Sequence, residues 1–301
     1  MKRIILDTDI GDDIDDAFAL VMLLHQKAEV RIEGITTVYR NSKQRAKIAR
    51  ALLSASGNTD IKVYPGEDTP RKQKIYIAPF ETIAPDGKVN IPHYDEDMSA
   101  QEVGNITATE FILQTLRKYP NEVTLVAIGP LTNLAKAFES DPQTFSLAKE
   151  ILFMGGQFQG NYAEWNIKCD PESADIVFHS GVPIKMVTLE ITQRCAFSED
   201  DIKAVEMLDT KEAPLLRRML KKWLQVNASR RPPIMYDPLT VSELTCSFCS
   251  FEDVPVHLSL CGATRGMLCC GRKEPGAVEM SVSVDVRARE FLDHFFQTIR
   301  S

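Results

Sequence analysis

Six aspartates fall within ten residues near the start of the chain: Asp7, Asp9, Asp12, Asp13, Asp15 and Asp16, in the stretch D-T-D-I-G-D-D-I-D-D-A-F-A-L. Carboxylates this dense repel one another and resist desolvation unless a cation neutralises them. Oxygen donors of this kind suit a hard divalent ion, Ca²⁺ or Mg²⁺. The dipole of a helix N-terminus favours acidic residues in its first turn. That accounts for Asp15 and Asp16, but not for six aspartates that begin at the end of a strand.

Two other metal-linked patterns fail on paper. An EF-hand loop starting at Asp7 requires Gly at its sixth position and Glu at its twelfth. Those positions hold Asp12 and Phe18, and no helix precedes them. A phosphotransferase of the haloacid-dehalogenase type places Thr or Val two residues beyond the second Asp of its D-x-D, where this chain has Gly11.

The cluster needs a strand before it and a helix after it. Ile4–Leu6 is an apolar run that stops at Asp7, and Ala17, Phe18, Leu20, Val21, Leu23 and Leu24 recur at helical spacing. Arg31–Val38 is β-branched and strand-like. Asn41 stands where a second helix would be capped, with Ile48, Ala51 and Leu52 on its apolar side. Ile61–Tyr64 reads as a third strand, ended by Pro65-Gly66. This β-α-β-α-β order implies parallel strands joined by right-handed crossovers. Open sheets of that kind bind ligands beyond the carboxyl ends of their strands, where the aspartates lie.

Residues 67–104 break the rhythm with Pro70, Pro79, Pro85, Gly87 and Pro92. A loop of this length inside a compact domain is usually functional, so a lid is expected. Alternation then resumes. A helix is expected over Thr107–Lys118, a strand over Val123–Ile128, a helix over Leu131–Phe138 and a strand over Ile151–Met154. Next come a helix over Pro171–His179, a strand over Ile184–Leu189 and a mainly helical stretch from Ser198 to Asn227. The tail adds a helix near Asp237–Leu244, strands near Val256–Leu260 and Val278–Val284, and a helix over Arg287–Ile299. The expected architecture is α/β: a Rossmann-like, mostly parallel sheet flanked by helices. It forms a single domain over residues 1–301, with a lid loop and a helical C-terminal addition.

Composition narrows the function. The chain is 44% hydrophobic and 26% charged, which excludes disordered and fibrous classes. Lys and Arg total 35 against 42 Asp and Glu, a net charge of −7 that makes a poor footprint for nucleic acid. No apolar run approaches the roughly 18 residues of a membrane span. Lys2 and Arg3 are followed only by the short run Ile4–Leu6, too little for a signal peptide, so a cytoplasmic location is expected. The seven cysteines are then expected as reduced thiols. Cys246 and Cys249 form C-x-x-C, with Cys261, Cys269 and Cys270 beyond. A zinc ribbon needs a second C-x-x-C, so buried or idle thiols are the first expectation and structural zinc the alternative.

Several motifs together carry a family resemblance. They are D-T-D-I-G from Asp7, D-D-A-F-A-L from Asp15, I-T-T-V-x-x-N over Ile35–Asn41 and G-P-L-T-N over Gly129–Asn133. M-G-G at Met154–Gly156, A-E-W-N at Ala163–Asn166, Asp170-Pro171 and the late Asp237-Pro238 follow. In this order and spacing, from residue 4 to about residue 240, the chain resembles the nucleoside hydrolase family. The resemblance implies cleavage of the N-glycosidic bond of ribonucleosides, giving ribose and free base, on a Rossmann-like core with bound Ca²⁺. It also implies a homo-oligomer, dimer or tetramer.

Residue by residue, the resemblance makes Asp9 a Ca²⁺ ligand that orients or deprotonates the attacking water. Asp16 and Asp237 become further ligands, with the backbone carbonyl of Ile128. Asp15 is matched to binding of ribose hydroxyls, and Asn41, Met154, Glu164 and Asn166 to the ribose pocket. The chemistry is coherent. Hydrolysis at the anomeric carbon passes through an oxocarbenium-like transition state. A calcium ion can position two sugar hydroxyls with one water and lower the pKa of that water, while a carboxylate accepts its proton. Asn and Glu offer the directional donors and acceptors a polyol needs. Plainer roles stand beside these: Asn41 and Asp237 as helix caps, Met154 as core filling, Glu164 and Asn166 in a solvent-exposed loop.

Three departures matter. The loop between Asp9 and the Asp15-Asp16 pair is two residues longer than the commonest family pattern, so Asp13 or Asp12 is a further candidate ligand. Many members have His directly before the late Asp, as the acid for the leaving base. Here Tyr236 stands there, and a phenol with a pKa near 10 is a less ready acid. The family's H-G-x-x-G-L-G-like segment is missing; His93 and Tyr94 lie in the corresponding lid. Trp223 reads as core rather than as a base-stacking residue. Two alternative functions follow: a non-catalytic ribose- or nucleoside-binding protein, motivated by Tyr236, and a metal-dependent phosphohydrolase.

Overall fold

The structure is a computed structural model that describes residues 1–84, 87, 89–227, 229, 231–271 and 275–300. Pro85 of the expected lid lies outside the described residues. The first strand, β1 (Lys2–Thr8), is buried over its last five residues and leads through the aspartate loop into α1 (Asp15–Leu24). β2 (Val30–Thr37), α2 (Ser42–Ala55) and β3 (Val63–Pro65) follow. Residues 67–104 are not structureless. They form a small hairpin of β4 (Thr82–Ile83) and β5 (Val89–Asn90) and a short 3₁₀ turn at Glu96–Met98. Then come α3 (Ala108–Lys118), β6 (Val123–Ala127), α4 (Thr132–Ser140), α5 (Pro142–Phe145) and β7 (Glu150–Met154). Thr107 and Glu110 start α3 as a reciprocal capping box, satisfying N–H groups that would otherwise lack partners.

The second half runs α6 (Trp165–Cys169), α7 (Pro171–Phe178), β8 (Ile184–Val187), α8 (Leu189–Thr192), α9 (Glu199–Glu206), α10 (Ala213–Val226) and α11 (Tyr236–Ser242). It ends with β9 (Cys249–Leu258), β10 (Leu268–Cys270), β11 (Val278–Val286) and α12 (Ala288–Ile299). One sheet of nine strands has the order β10-β9-β11-β8-β7-β6-β1-β2-β3. From β3 to β11 neighbours are parallel; β9 runs antiparallel to β11 and β10 antiparallel to β9. The C-terminal part is therefore not only a helical addition, because its three strands extend the main sheet. Val254, Val256, Met280 and Val282 give those strands apolar positions that pack on the core.

Side chains alternate across the sheet. Ile4 and Leu6 of β1 enter one apolar core with α1, α2, α10, α11 and α12, while Ile5 enters the other with α3, α4 and α7. Helices thus cover both faces, and the central strands read as unbroken apolar runs because neither face meets water. After β1 the chain builds outward to β3, then crosses back to place β6 on the other side of β1. A crevice opens at such a reversal, beyond the carboxyl ends of the two strands. Asp9 follows β1 there and Ile128 follows β6.

Candidate active site

A cavity of about 340 Å³ occupies that crevice. Asp9, Asp13, Asp15 and Asp16 line it from the loop and start of α1, and Ile128 from the end of β6. Met154, Glu164 and Asn166 line it from the β7–α6 connection, and Tyr236 and Asp237 from α11. Asn41 does not join them. It sits at the start of α2 with a left-handed backbone (φ 59°), and its amide reaches the Val89 carbonyl at 3.5 Å. It is the N-cap residue of α2 but makes no side-chain cap bond there.

Carboxylate oxygens of Asp15, Asp16 and Asp237 come within 4.8 Å of one another, and all three residues are buried. Packing of α1 on α11 makes this meeting possible. The Asp237 N–H then donates to Asp15 Oδ2 at 3.2 Å, and the Thr8 hydroxyl donates to Asp16. Burial and mutual repulsion push all three carboxyls well above the usual carboxylate range. Such a set is stable as a cluster of anions only around a cation. Three hard oxygen donors in one place suit a divalent ion of the Ca²⁺ or Mg²⁺ kind.

Asp9 lies just outside this triplet. Burial pushes its carboxyl up to about 7, and the neighbouring Arg45 guanidinium pulls the other way. Gly129 leaves room for it: a Cβ there would stand 2.9 Å from both the backbone nitrogen and Oδ1 of Asp9. The Ile128 carbonyl faces the cavity wall and accepts from Asn166 Nδ2 at 3.2 Å, which also donates to the Met154 carbonyl at 3.0 Å. Glu164 is no solvent-exposed loop residue. It is 3% exposed and caps α6, taking N–H bonds from Gly156, Asn166 and Ile167 at 3.0, 2.8 and 3.2 Å.

Asp13, expected as a further ligand, does not enter the triplet. Its Oδ2 accepts from Arg231 Nη2 at 3.0 Å. Asp12 likewise belongs to a buried Arg45, whose Nη2 donates to Asp12 Oδ2 at 2.8 Å. Arg45 also donates to the carbonyls of Asp9, Ile10, Tyr39 and Arg40, and thus clamps the aspartate loop. Each carboxylate of the longer loop therefore has its own arginine. Those arginines, and Phe80 of the lid segment in the cavity wall, were not singled out from the sequence.

The remaining expectations divide. Tyr236 lines the cavity beside Arg231, whose Nη1 donates to its hydroxyl at 3.4 Å. Burial holds that hydroxyl above its ordinary range. His93 is fully buried, away from the cavity lining, with burial lowering its pKa to about 3. Trp223 is fully buried in the core, its ring 5.3 Å from that of Phe80. Among the described residues the seven cysteines are free, and the acidic triplet is the group that could hold a metal, which leaves the zinc alternative without a site. Among them, too, no helix is long and apolar enough to cross a membrane.

A mostly parallel sheet with buried carboxylates grouped at its carboxyl edge defines a small-molecule site at the strand reversal. A family model described as "Inosine-uridine preferring nucleoside hydrolase" matches residues 4–293. The chain belongs to the nucleoside hydrolase family, and so to the N-ribosyl hydrolases. It is 36% identical over 228 residues to uridine nucleosidase 1 of Arabidopsis thaliana, covering 73% of this chain and 66% of that protein. It is 30% identical over 299 residues to an inosine-uridine preferring nucleoside hydrolase of Crithidia fasciculata, covering 95% and 93%. The solved structure of a plant nucleoside hydrolase superposes with a TM-score of 0.84 at 28% identity, covering 100% and 99%. Membership in this family leaves the phosphohydrolase alternative without support.

Proposed function

We propose that the chain hydrolyses the N-glycosidic bond of ribonucleosides to ribose and free base, with Ca²⁺ held by Asp15, Asp16 and Asp237. The observation that carries this reading is the buried carboxylate triplet at the strand reversal, open to a cavity lined by carboxylate, amide and phenol side chains. Bound there, a divalent cation supplies positive charge that orders sugar hydroxyls, acidifies a water and keeps the neighbouring carboxylates ionised. Asp9 and the Ile128 carbonyl stand beside the triplet and complete the oxygen set.

On this reading Asp9 takes the proton of the attacking water, a role suited to a carboxylate within reach of neutral pH. Asn166 and Glu164 hold ribose hydroxyls. Asn166 is fixed by two backbone carbonyls and Glu164 by three backbone N–H groups, so both enter the reaction already oriented. Met154 closes the apolar side of the sugar, and Tyr236 faces the base. Residues 1–301 act as one unit, in the cytoplasm, as a homo-oligomer.

The test is release of reducing sugar from a panel of purine and pyrimidine ribonucleosides, with added Ca²⁺, with a chelator, and with Asp9→Ala as control. Calcium-dependent release that disappears in the variant is expected. Nucleoside binding without any release would move the chain to the non-catalytic alternative.

A further inference from the structure

Arg231 stands in the cavity wall held from three parts of the chain. Nη2 donates to Asp13 in the aspartate loop at 3.0 Å, and Nη1 reaches the Tyr236 hydroxyl on α11 at 3.4 Å. Its Cζ lies 5.0 Å from the ring centroid of Phe80 in the lid segment. Phe80 in turn rests on the buried Trp223. The Arg231 side chain nonetheless remains 37% exposed. A guanidinium has five N–H donors in a fixed fork, so donors remain for a ligand in the cavity.

Breaking an N-glycosidic bond leaves an electron pair on the base nitrogen. That charge must be met by a proton or by fixed positive charge. Tyr236 is a poor proton source at neutral pH, because a phenol ordinarily titrates near 10. Arg231 cannot give up a proton at all, yet it carries a permanent charge beside Phe80, the cavity's flat aromatic surface from the lid segment.

We propose that Arg231, oriented by Asp13, receives the departing base: its guanidinium hydrogen-bonds an acceptor atom of the base and stabilises the charge that develops when the C1′–N bond breaks. This rests on the hydrolase reading above. The bond breaks heterolytically and its electron pair goes to the base nitrogen. The water oxygen bonds to C1′, one water proton passes to Asp9, and the base nitrogen is protonated by solvent after departure. Asp13 is then a positioning residue, and the longer loop has a purpose: it brings the carboxylate that aims the arginine.

The experiment compares uridine with 4-nitrophenyl β-D-riboside, whose leaving group departs without assistance. In the intact protein both should be cleaved. Arg231→Met should lower kcat/KM for uridine at least about a hundredfold, the scale of one lost electrostatic contact in a transition state. The nitrophenyl riboside should stay within about threefold. Asp13→Asn should show the same selectivity at smaller size, and Arg231→Lys a partial recovery on uridine. Equal losses on both substrates, or no loss on either, would overturn the role. A parent protein that cleaves neither substrate refutes the hydrolase reading itself. If Arg231→Met does not fold by circular dichroism, the ratio of the two substrates in Arg231→Lys and Asp13→Asn decides: an unchanged ratio overturns the proposal.

Discussion

Asn133 Nδ2 donates to Asp7 Oδ1 at 2.7 Å, across 126 positions of sequence. Thr36 adds a second bond to the same oxygen at 2.5 Å. The first aspartate of D-T-D is therefore not a site residue. It ties β1 to β2 and to the start of α4. Asn133 also accepts from the Glu67 N–H at 2.8 Å and donates to the Thr37 carbonyl at 3.1 Å, so one amide pins three segments that converge behind the cavity.

Asn133→Ala should therefore act on stability before chemistry. It strips a partner from a fully buried carboxyl and leaves the Glu67 N–H unpaired, each costing about 1–3 kcal/mol. Urea unfolding should show a loss of about 2–4 kcal/mol, and the KM of surviving folded protein should stay close to the parent's. A midpoint unchanged within error would remove Asn133 from this structural role.

Metal-free protein should lose stability as pH rises. Burial raises the carboxyls of Asp7 and Asp9 to about 7 and that of Asp13 to about 6, above the value of about 4 in an unfolded chain. For a group shifted in that direction, the native state binds more protons than the unfolded state between the two values. Its contribution is complete below about pH 4 and is lost as pH climbs to about 7. Thermal melts in chelator should fall across that window. Saturating Ca²⁺ at a hundred times Kd should restore about 2.7 kcal/mol at neutral pH. A chelated protein that melts higher at neutral than at mildly acidic pH would contradict the assignment.

Tyr236→Phe separates a proton donor from a neighbour of the base. General acid catalysis is worth roughly 10²–10⁴ in rate. With its hydroxyl held above the ordinary range, Tyr236 should contribute less than that, and the variant should lose under about tenfold in kcat. A loss beyond about a hundredfold, with a basic limb removed from the pH–rate profile, would restore the phenol as the acid.

Gly129→Ala probes the space behind Asp9. The added Cβ would press at 2.9 Å on a backbone nitrogen as well as on the carboxylate, and the backbone has no rotamer to escape into. Overpacking of this kind costs about 1–3 kcal/mol. Activity should fall further than stability, since the displaced group is Asp9 itself. Equal kcat in parent and variant would show that the loop yields freely.

The sequence was most readable where pattern is local. Apolar runs ending in Asp7, Gly129 and Gly155 marked strands of the parallel sheet, and their shared edge located the crevice. Helix ends moved by a residue or two: Leu189, expected to end a strand, begins α8. What pattern could not show was partnership across distance. Asp13 sits two residues from Asp15, yet its allegiance is decided by Arg231, 218 positions away. Asn41 has the right residue type for a sugar pocket, but its backbone turns left-handed and aims the amide at the β4–β5 hairpin. The strand expected near Val256–Leu260 is the end of a longer β9 that begins at Cys249, and β10 has no expected counterpart; only pairing with β11 and β9 shows that both lengthen the same sheet.

The two arginine pairs have one more consequence. A loop that gained two carboxylates beside an ion site would ordinarily deepen the local potential, tightening ion capture and slowing its exchange with solvent. Here each stands beside an arginine, Asp12 beside Arg45 and Asp13 beside Arg231, yet Asp13 still pushes up the Asp15 carboxyl. Arg45 also draws down the carboxyls of Asp9 and Asp16, so its positive charge serves the whole aspartate loop and not Asp12 alone. A change of charge at Arg45 therefore reaches the triplet through Asp16, although Arg45 touches none of its three carboxylates.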